Sequence, residues 1–411
     1  MSSFYKGILF GLLCVLAGKS TAQQLSARDY FLLGAAKFKC NACEYAQEDF
    51  SRAIALDQRY AEAYYGRSLS YNCLGRYEEA LRDIDRAIRI DGQQVLYREA
   101  KARIRTASGD LKGGTREFQR ALAMDSLCWQ AWYGWARNAH NEKEYVAARK
   151  AYNKSIALSP QFPMARLWRG KMELDLEQYG DARDDLTRAA ELAPEYAPVY
   201  EWRSLTFLRM QEHAPAIEDA TRALNLDPQS AQAYYFRGLA KLATQKYADA
   251  DVDFAEAIKL DKQKADAYFR RGICHERQGD LTGARKYFSQ AIKRERILKA
   301  AYVERALVWR KMEKPKKAVK DITSALAIER DDIKLILDRG FLYLELEEPQ
   351  NAIHDFSRVI LLDPKQAAAF FGLGNAVYAE GNVRKACSDW RTALDLGDDR
   401  AADQINKYCV E

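Results

Sequence analysis

The side chains with the most chemistry to offer are few: eight cysteines and four histidines in 411 residues. His140, His213, His275 and His354 stand far apart with no shared ligand spacing, so they read as ordinary surface or packed histidines and not as metal ligands. The chain has no Gly-rich phosphate loop, no HExxH and no GxSxG. No catalytic residue, metal or cofactor is therefore expected. Cys40-Asn41-Ala42-Cys43 is a CxxC, but a redox reading needs a thioredoxin-like strand–helix context. These residues fall instead at a turn between two helical segments.

The amino terminus reads as an address. Met1–Lys6 ends in a positive charge, Gly7–Ala17 is apolar, and Ser20-Thr21-Ala22 places small residues at −3 and −1 of a cut after Ala22. Residues 1–22 read as a signal peptide, and their apolar run is too short to span a bilayer. The residues before Cys14 do not resemble a lipobox. The rest of the chain has no other long apolar stretch. The expected product is exported, periplasmic or secreted, in an oxidising compartment.

Composition excludes disorder: 48% of residues are hydrophobic and 30% charged. The net charge is +6, or +4 without Lys6 and Lys19, too low to mark a nucleic-acid binder. From Ala27 to Arg400 the chain repeats every 34 residues without a phase slip. Position 20 is Ala in every block but one, Gly114; position 27 is Ala except at Ser155 and Val359. Position 8 is always small, from Gly34 to Gly374. Position 4 is mostly aromatic (Tyr64, Trp132, Tyr234, Phe370), and position 24 is mostly large and apolar (Phe50, Phe118, Phe254, Phe356). Small residues at 8, 20 and 27 let two helix backbones approach, and the large ones fill the space beside them. All nine prolines fall between blocks or open a helix.

This pattern resembles the tetratricopeptide repeat family. The resemblance implies an all-α, right-handed α-solenoid of about eleven helix–turn–helix repeats over 27–400. A short lead (23–26) precedes them and a capping helix (401–411) follows. Gln23-Gln24 after the cut resembles exported proteins of the Bacteroidetes group. In the family helix A lines a concave face that receives ligand. The family's Lys and Asn clamp for C-terminal carboxylates is missing here, since positions 5 and 9 never combine as Lys and Asn.

Arg recurs at position 7 and Asp at position 23, which reads as a ladder of exposed bridges tying helix A to helix B, each worth under about 1 kcal/mol. Helix B of one repeat and helix A of the next run antiparallel about their loop, so residues equidistant from it face each other. That pairs Cys43 with Cys73 and Cys387 with Cys409 as two end staples. Cys40–Cys43 or Cys40–Cys73 is the competing pairing at the amino end. Cys128 and Cys274 read as buried free thiols.

Two surfaces read as partner sites. Position 6 is Trp168, Trp202 and Phe236 in successive repeats. Tyr133, Tyr235 and Phe269 stand beside them at position 5, with Arg137 at position 9. They form either a peptide-binding row across repeats 4–8 or packing between neighbouring A helices. Residues 285–320 hold 13 Lys and Arg against three acids. Arg310, Lys311, Lys314, Lys316 and Lys317, joined by Arg277, make a basic patch for an acidic partner, or a solvated edge. The expected function is an exported protein–protein interaction scaffold without enzyme activity; the alternative is an architectural part of an envelope or secretion assembly. Amino-terminal sequencing of the exported protein should begin at Gln23, and lipid on Cys14 or an intact Met1 would contradict it.

Overall fold

The computed structural model describes residues 25–409. The expected signal peptide, with Cys14 and the cut after Ala22, lies outside the described residues. Those residues form 23 helices and no strand. A helices of 13 residues, from Ala27–Lys39 to Ala367–Ala379, open every 34 residues. B helices follow after three-residue turns, from Cys43–Leu56 to Val383–Asp395, and Arg400–Tyr408 comes last. The chain divides into two compact bodies, 25–194 and 195–409, and within each body every helix packs on the next in sequence.

The turn from A to B has one recipe. Its middle residue, position 15, adopts the left-handed conformation in every block. Gly75, Gly109, Gly279 and Gly381 do so without strain, while Asn41, Lys143, Glu177, Gln211, Gln245, Glu313 and Glu347 do so at φ 56–62°. The next amide then donates back into the helix just ended, as in Arg76 N–H to Tyr71 O at 2.9 Å and Gln178 N–H to Glu173 O at 2.8 Å. This is the Schellman closure, and it satisfies carbonyls that the helix end would otherwise strand.

The core follows the small-residue pattern. Ala46, Ala80, Ala148 and Ala250 at position 20 expose nothing, and the position-24 side chains Phe50, Phe118, Phe254, Phe288, Phe356 and Trp390 are fully buried. Contact is close enough that size is fixed. A Cβ added to Gly66 would stand 2.6 Å from the Phe50 ring, and one added to Gly134 would stand 2.2 Å from Phe118.

Both end pairings are present as disulfides: Cys43–Cys73, with Cα atoms 6.4 Å apart, and Cys387–Cys409, at 5.7 Å. Cys40 is free. Cys128 and Cys274 are free and buried. Burial, reinforced by Asp251, pushes the Cys274 thiol up to about 12.

The charge ladder ties helix A to helix B within six of the repeats. Arg67–Asp83, Arg169–Asp185, Arg203–Asp219, Arg237–Asp253, Arg305–Asp321 and Arg339–Asp355 close at 2.5–2.8 Å. Most are two-pronged, through Nε and Nη2. The expectation of exposed pairs is corrected here. The Arg339 side chain is 13% exposed and its Asp355 partner 1%, because the bridge lies in the crevice between two helices that small residues have drawn together. Removing one partner of such a pair strands a buried charge. Asp355→Ala should therefore lower stability by about 3 kcal/mol in urea titrations, whereas the double replacement of Arg339 and Asp355 by Leu should come close to neutral.

Candidate functional site

Each sequence-predicted ring can now be placed. Tyr235, Phe236 and Phe269 are 9%, 6% and 7% exposed. They belong to the core, which corrects the expectation of an exposed row. Tyr235 packs on Phe254 at 5.9 Å, and Phe269 on Phe288 at 5.7 Å. Position-5 rings thus cover the position-24 ring of their own repeat. Phe236 has a second cause. Position 6 faces position 24 of the preceding repeat, as Gly66 faces Phe50 and Gly134 faces Phe118; there Ala220 is small, and the large side chain comes from position 6, as Phe236. Trp202 is half-buried and meets Phe236 edge-on at 6.4 Å.

Tyr133, Arg137 and Trp168 differ. All three are half-buried in the amino-terminal body, on the A helices Trp129–Asn141 and Pro163–Asp175. The Arg137 guanidinium lies 4.1 Å above the Trp168 ring and 6.0 Å from that of Tyr133. Lys171 Nζ approaches the same indole at 3.9 Å. Burial first, then Arg137, holds the Lys171 ammonium below its ordinary range, with Asp175 opposing.

Beside Arg137 a cavity of about 630 Å³ opens between the A helices Val95–Ala107 and Trp129–Asn141. Trp129, Tyr133, Phe162 and Phe118 give it apolar walls; Glu99, Arg103, Asn72, Asn138 and Arg137 give it polar ones. Trp129 and Phe162 pack at 4.5 Å, and Tyr133 meets Phe162 edge-on at 5.1 Å. Glu99 is 4% exposed. Burial holds its carboxyl above the usual range, countered by Arg103 with Nε 3.4 Å away. The cavity lies where the repeat pattern thins. Gly113 and Gly114 open the B helix of the third repeat, and the fourth repeat has Trp135 and Ala151 where others carry the Arg–Asp bridge. Neither Glu99 nor Asn138 was singled out from sequence. The missing bridge was the readable signal.

The basic patch lies in the carboxy-terminal body and divides in two. Lys311 and Arg277 share Glu276, Arg277 at 3.3 Å, so one carboxylate offsets one of these two charges. Lys314, Lys316, Lys317 and Arg310 are exposed. Lys317, Arg285 and Lys314 surround the Trp309 ring at 4.5, 5.4 and 5.9 Å. The histidines do not converge: His140 meets Asp175 at 2.8 Å and His275 meets Asp280 at 2.8 Å, in different bodies. On the B helix Tyr145–Leu158, Val146 is 88% exposed in a shallow groove with Tyr145 and Arg149.

The sequence pattern of the tetratricopeptide repeat family matches residues 43–95, 99–163, 147–197, 203–251, 237–297 and 337–401. Rat serine/threonine-protein phosphatase 5 is 35% identical over 81 residues, 20% of this chain and 15% of that protein. Human mitochondrial import receptor subunit TOM70 is 24% identical over 138 residues, 32% of this chain and 23% of that protein. The matches thus span less than a quarter of either relative. Among solved structures, the human IFIT1 dimer with m7Gppp-AAAA aligns over 96% of this chain and 95% of its own, at 15% identity and a TM-score of 0.50. A tetratricopeptide repeat protein from Parabacteroides merdae aligns over 61% of this chain and 98% of its own, at 18% identity and a TM-score of 0.45. At such identities the likeness is one of fold.

Burial separates the two sets of rings energetically. Phe236→Ala should lower stability by about 3 kcal/mol, and Trp168→Ala by clearly less, when urea midpoints are compared.

Proposed function

Since the chain belongs to the tetratricopeptide repeat family, whose members mediate protein–protein interaction, we propose that it is an exported, non-catalytic scaffold of eleven repeats that receives a segment of another protein along its A helices. One observation carries this reading: Tyr133 and Arg137 are half-buried and line an aromatic-walled cavity, and Trp168, half-buried on the next A helix, packs on Arg137. The reading centres the receiving surface on repeats 3–5, because Tyr235, Phe236 and Phe269 farther along are core and the half-buried Trp202 packs on Phe236. Export to the periplasm or beyond rests on the amino-terminal sequence. The exposed lysines about Trp309, with Arg310, provide a second surface that suits an acidic region of a partner. An architectural role held by the outer face is the second reading, favoured by the exposed Val146 groove.

A photo-crosslinking residue at Gln130, inside the cavity, or at Val146, outside it, separates the two. Capture of a partner from the exported fraction at position 130 and not at 146 is expected; capture at 146 alone would sink the groove reading. Trp168→Ala should weaken the captured interaction about tenfold or more. Charge reversal of Arg310 and Lys317 should slow association at low salt and lose its effect at high salt.

A further inference from the structure

We propose that the amino-terminal body holds an acidic side chain of its bound segment on Arg137, with a neighbouring apolar side chain seated in the adjoining cavity. This rests on the reading above that the A helices receive a protein segment. Arginine is normally neutralised in this chain: each ladder arginine grips an aspartate of its own repeat. Arg137 is different. It stands in the repeat where Trp135 and Ala151 replace the bridge, and no acid among the described residues is paired with it. It is nonetheless held in place, its guanidinium carbon 4.1 Å from the centre of the Trp168 ring. The cation–π contact supports the guanidinium without using its N–H donors, and a guanidinium fork matches a carboxylate.

The surrounding polar atoms are also unsatisfied. Arg137 Nε is buried and finds no acceptor; Asn138 Oδ1 and Asn72 Oδ1 are buried and find no donor. Asn138 is wholly buried, its Nδ2 engaged by Thr106, Leu111 O and Thr115. These three side chains line one cavity. Buried polar atoms without partners are uncommon: Arg137 Nε calls for an acceptor, which a carboxylate supplies, and the two amide oxygens call for N–H donors, which the backbone of the same segment supplies. The charge balance selects the sign. Lys171 crowds the same indole as Arg137, and the cavity's carboxylate, Glu99, is already engaged by Arg103. Of the charged side chains that line the cavity, Arg137 is the one without a counter-ion, so the incoming group is an anion. The apolar walls of Trp129 and Phe162 suit a hydrophobic neighbour on the same segment.

The test uses the full chain and a library of N-acetylated, C-amidated hexapeptides with one position fixed as Glu, Gln, Lys or Leu and the others randomised. Amidation ensures that only side-chain carboxylates are read. The wild-type chain should retain the Glu set over the Gln set about tenfold, the ratio expected of a charge-assisted hydrogen bond. Arg137→Gln should abolish that preference and keep the preference for apolar neighbours. Arg137→Lys, which keeps the charge and loses the fork, should fall between. Absence of a Glu preference in the wild type, or its survival in Arg137→Gln, overturns the proposal and leaves the groove reading standing; failure of every set to bind overturns both. If Arg137→Gln does not fold, as read by circular dichroism, Arg137→Lys decides by the same ratio: an unchanged preference overturns the proposal.

Discussion

How closely one helix backbone can lie on the next governs the rest of this molecule. Alanine, glycine and serine at three positions of each 34-residue block bring helix A onto helix B. Only at that distance do a position-24 ring and a position-7 arginine find their places. The ring plugs the crevice, and a glycine opposite it, such as Gly66 or Gly134, is fixed because a single added carbon would overlap the ring. The arginine spans the same crevice to its aspartate. A bridge that would be nearly neutral in water becomes a buried, directional link there, since solvent no longer competes for either charge. Where one partner is lost the other shows it. Asp389 faces Leu373 at the ladder position, keeps a buried oxygen without a donor, and is held above the usual carboxylate range by burial.

The candidate site arises where this rule relaxes. The third repeat replaces Arg and Asp with Lys101 and Glu117, 3.7 Å apart, and carries two glycines at the start of its B helix. The fourth has neither member of the pair. Space and unspent charge appear together, because both come from the same missing residues. Arg137 then uses aromatic faces for support in place of a counter-ion. In the eighth repeat Arg271 makes a different substitution, reaching Asp251 in the preceding repeat at 2.6 Å and lying 4.4 Å over Tyr287. Departures from the repeat are thus of two kinds, one compensated within the chain and one left open.

Much of the fold was legible in the sequence because period and residue size are one-dimensional properties. The repeat bounds, the placement of proline and the Cys387–Cys409 pairing follow from counting, and counting offered Cys43–Cys73 beside the Cys40 alternatives. Depth is not one-dimensional. Trp168 and Phe236 share position 6, yet one is half-exposed and the other is core. The difference lies sixteen residues back, where Tyr152 fills position 24 in one case and Ala220 leaves it empty in the other. The ladder aspartates were misjudged as exposed for the same reason: a charged letter in a sequence does not say how near the next helix is. The left-handed residue at position 15 was also unread, since glycine occupies it in only four blocks. A turn fixed by hydrogen bonds on both sides tolerates lysine or glutamate there.

The two disulfides bear on where this chain can be cut. A linear array of repeats ordinarily opens at its ends, where the last repeat has one neighbour. Here Cys43–Cys73 binds the first repeat to the second, and Cys387–Cys409 binds the last B helix to the helix that covers it. Fraying at either end of the array is thereby suppressed, and opening is left to the repeats between the two crosslinks. A protease meeting this protein in an oxidising compartment would find its first site there. It would release two large fragments instead of trimming the molecule from its tips.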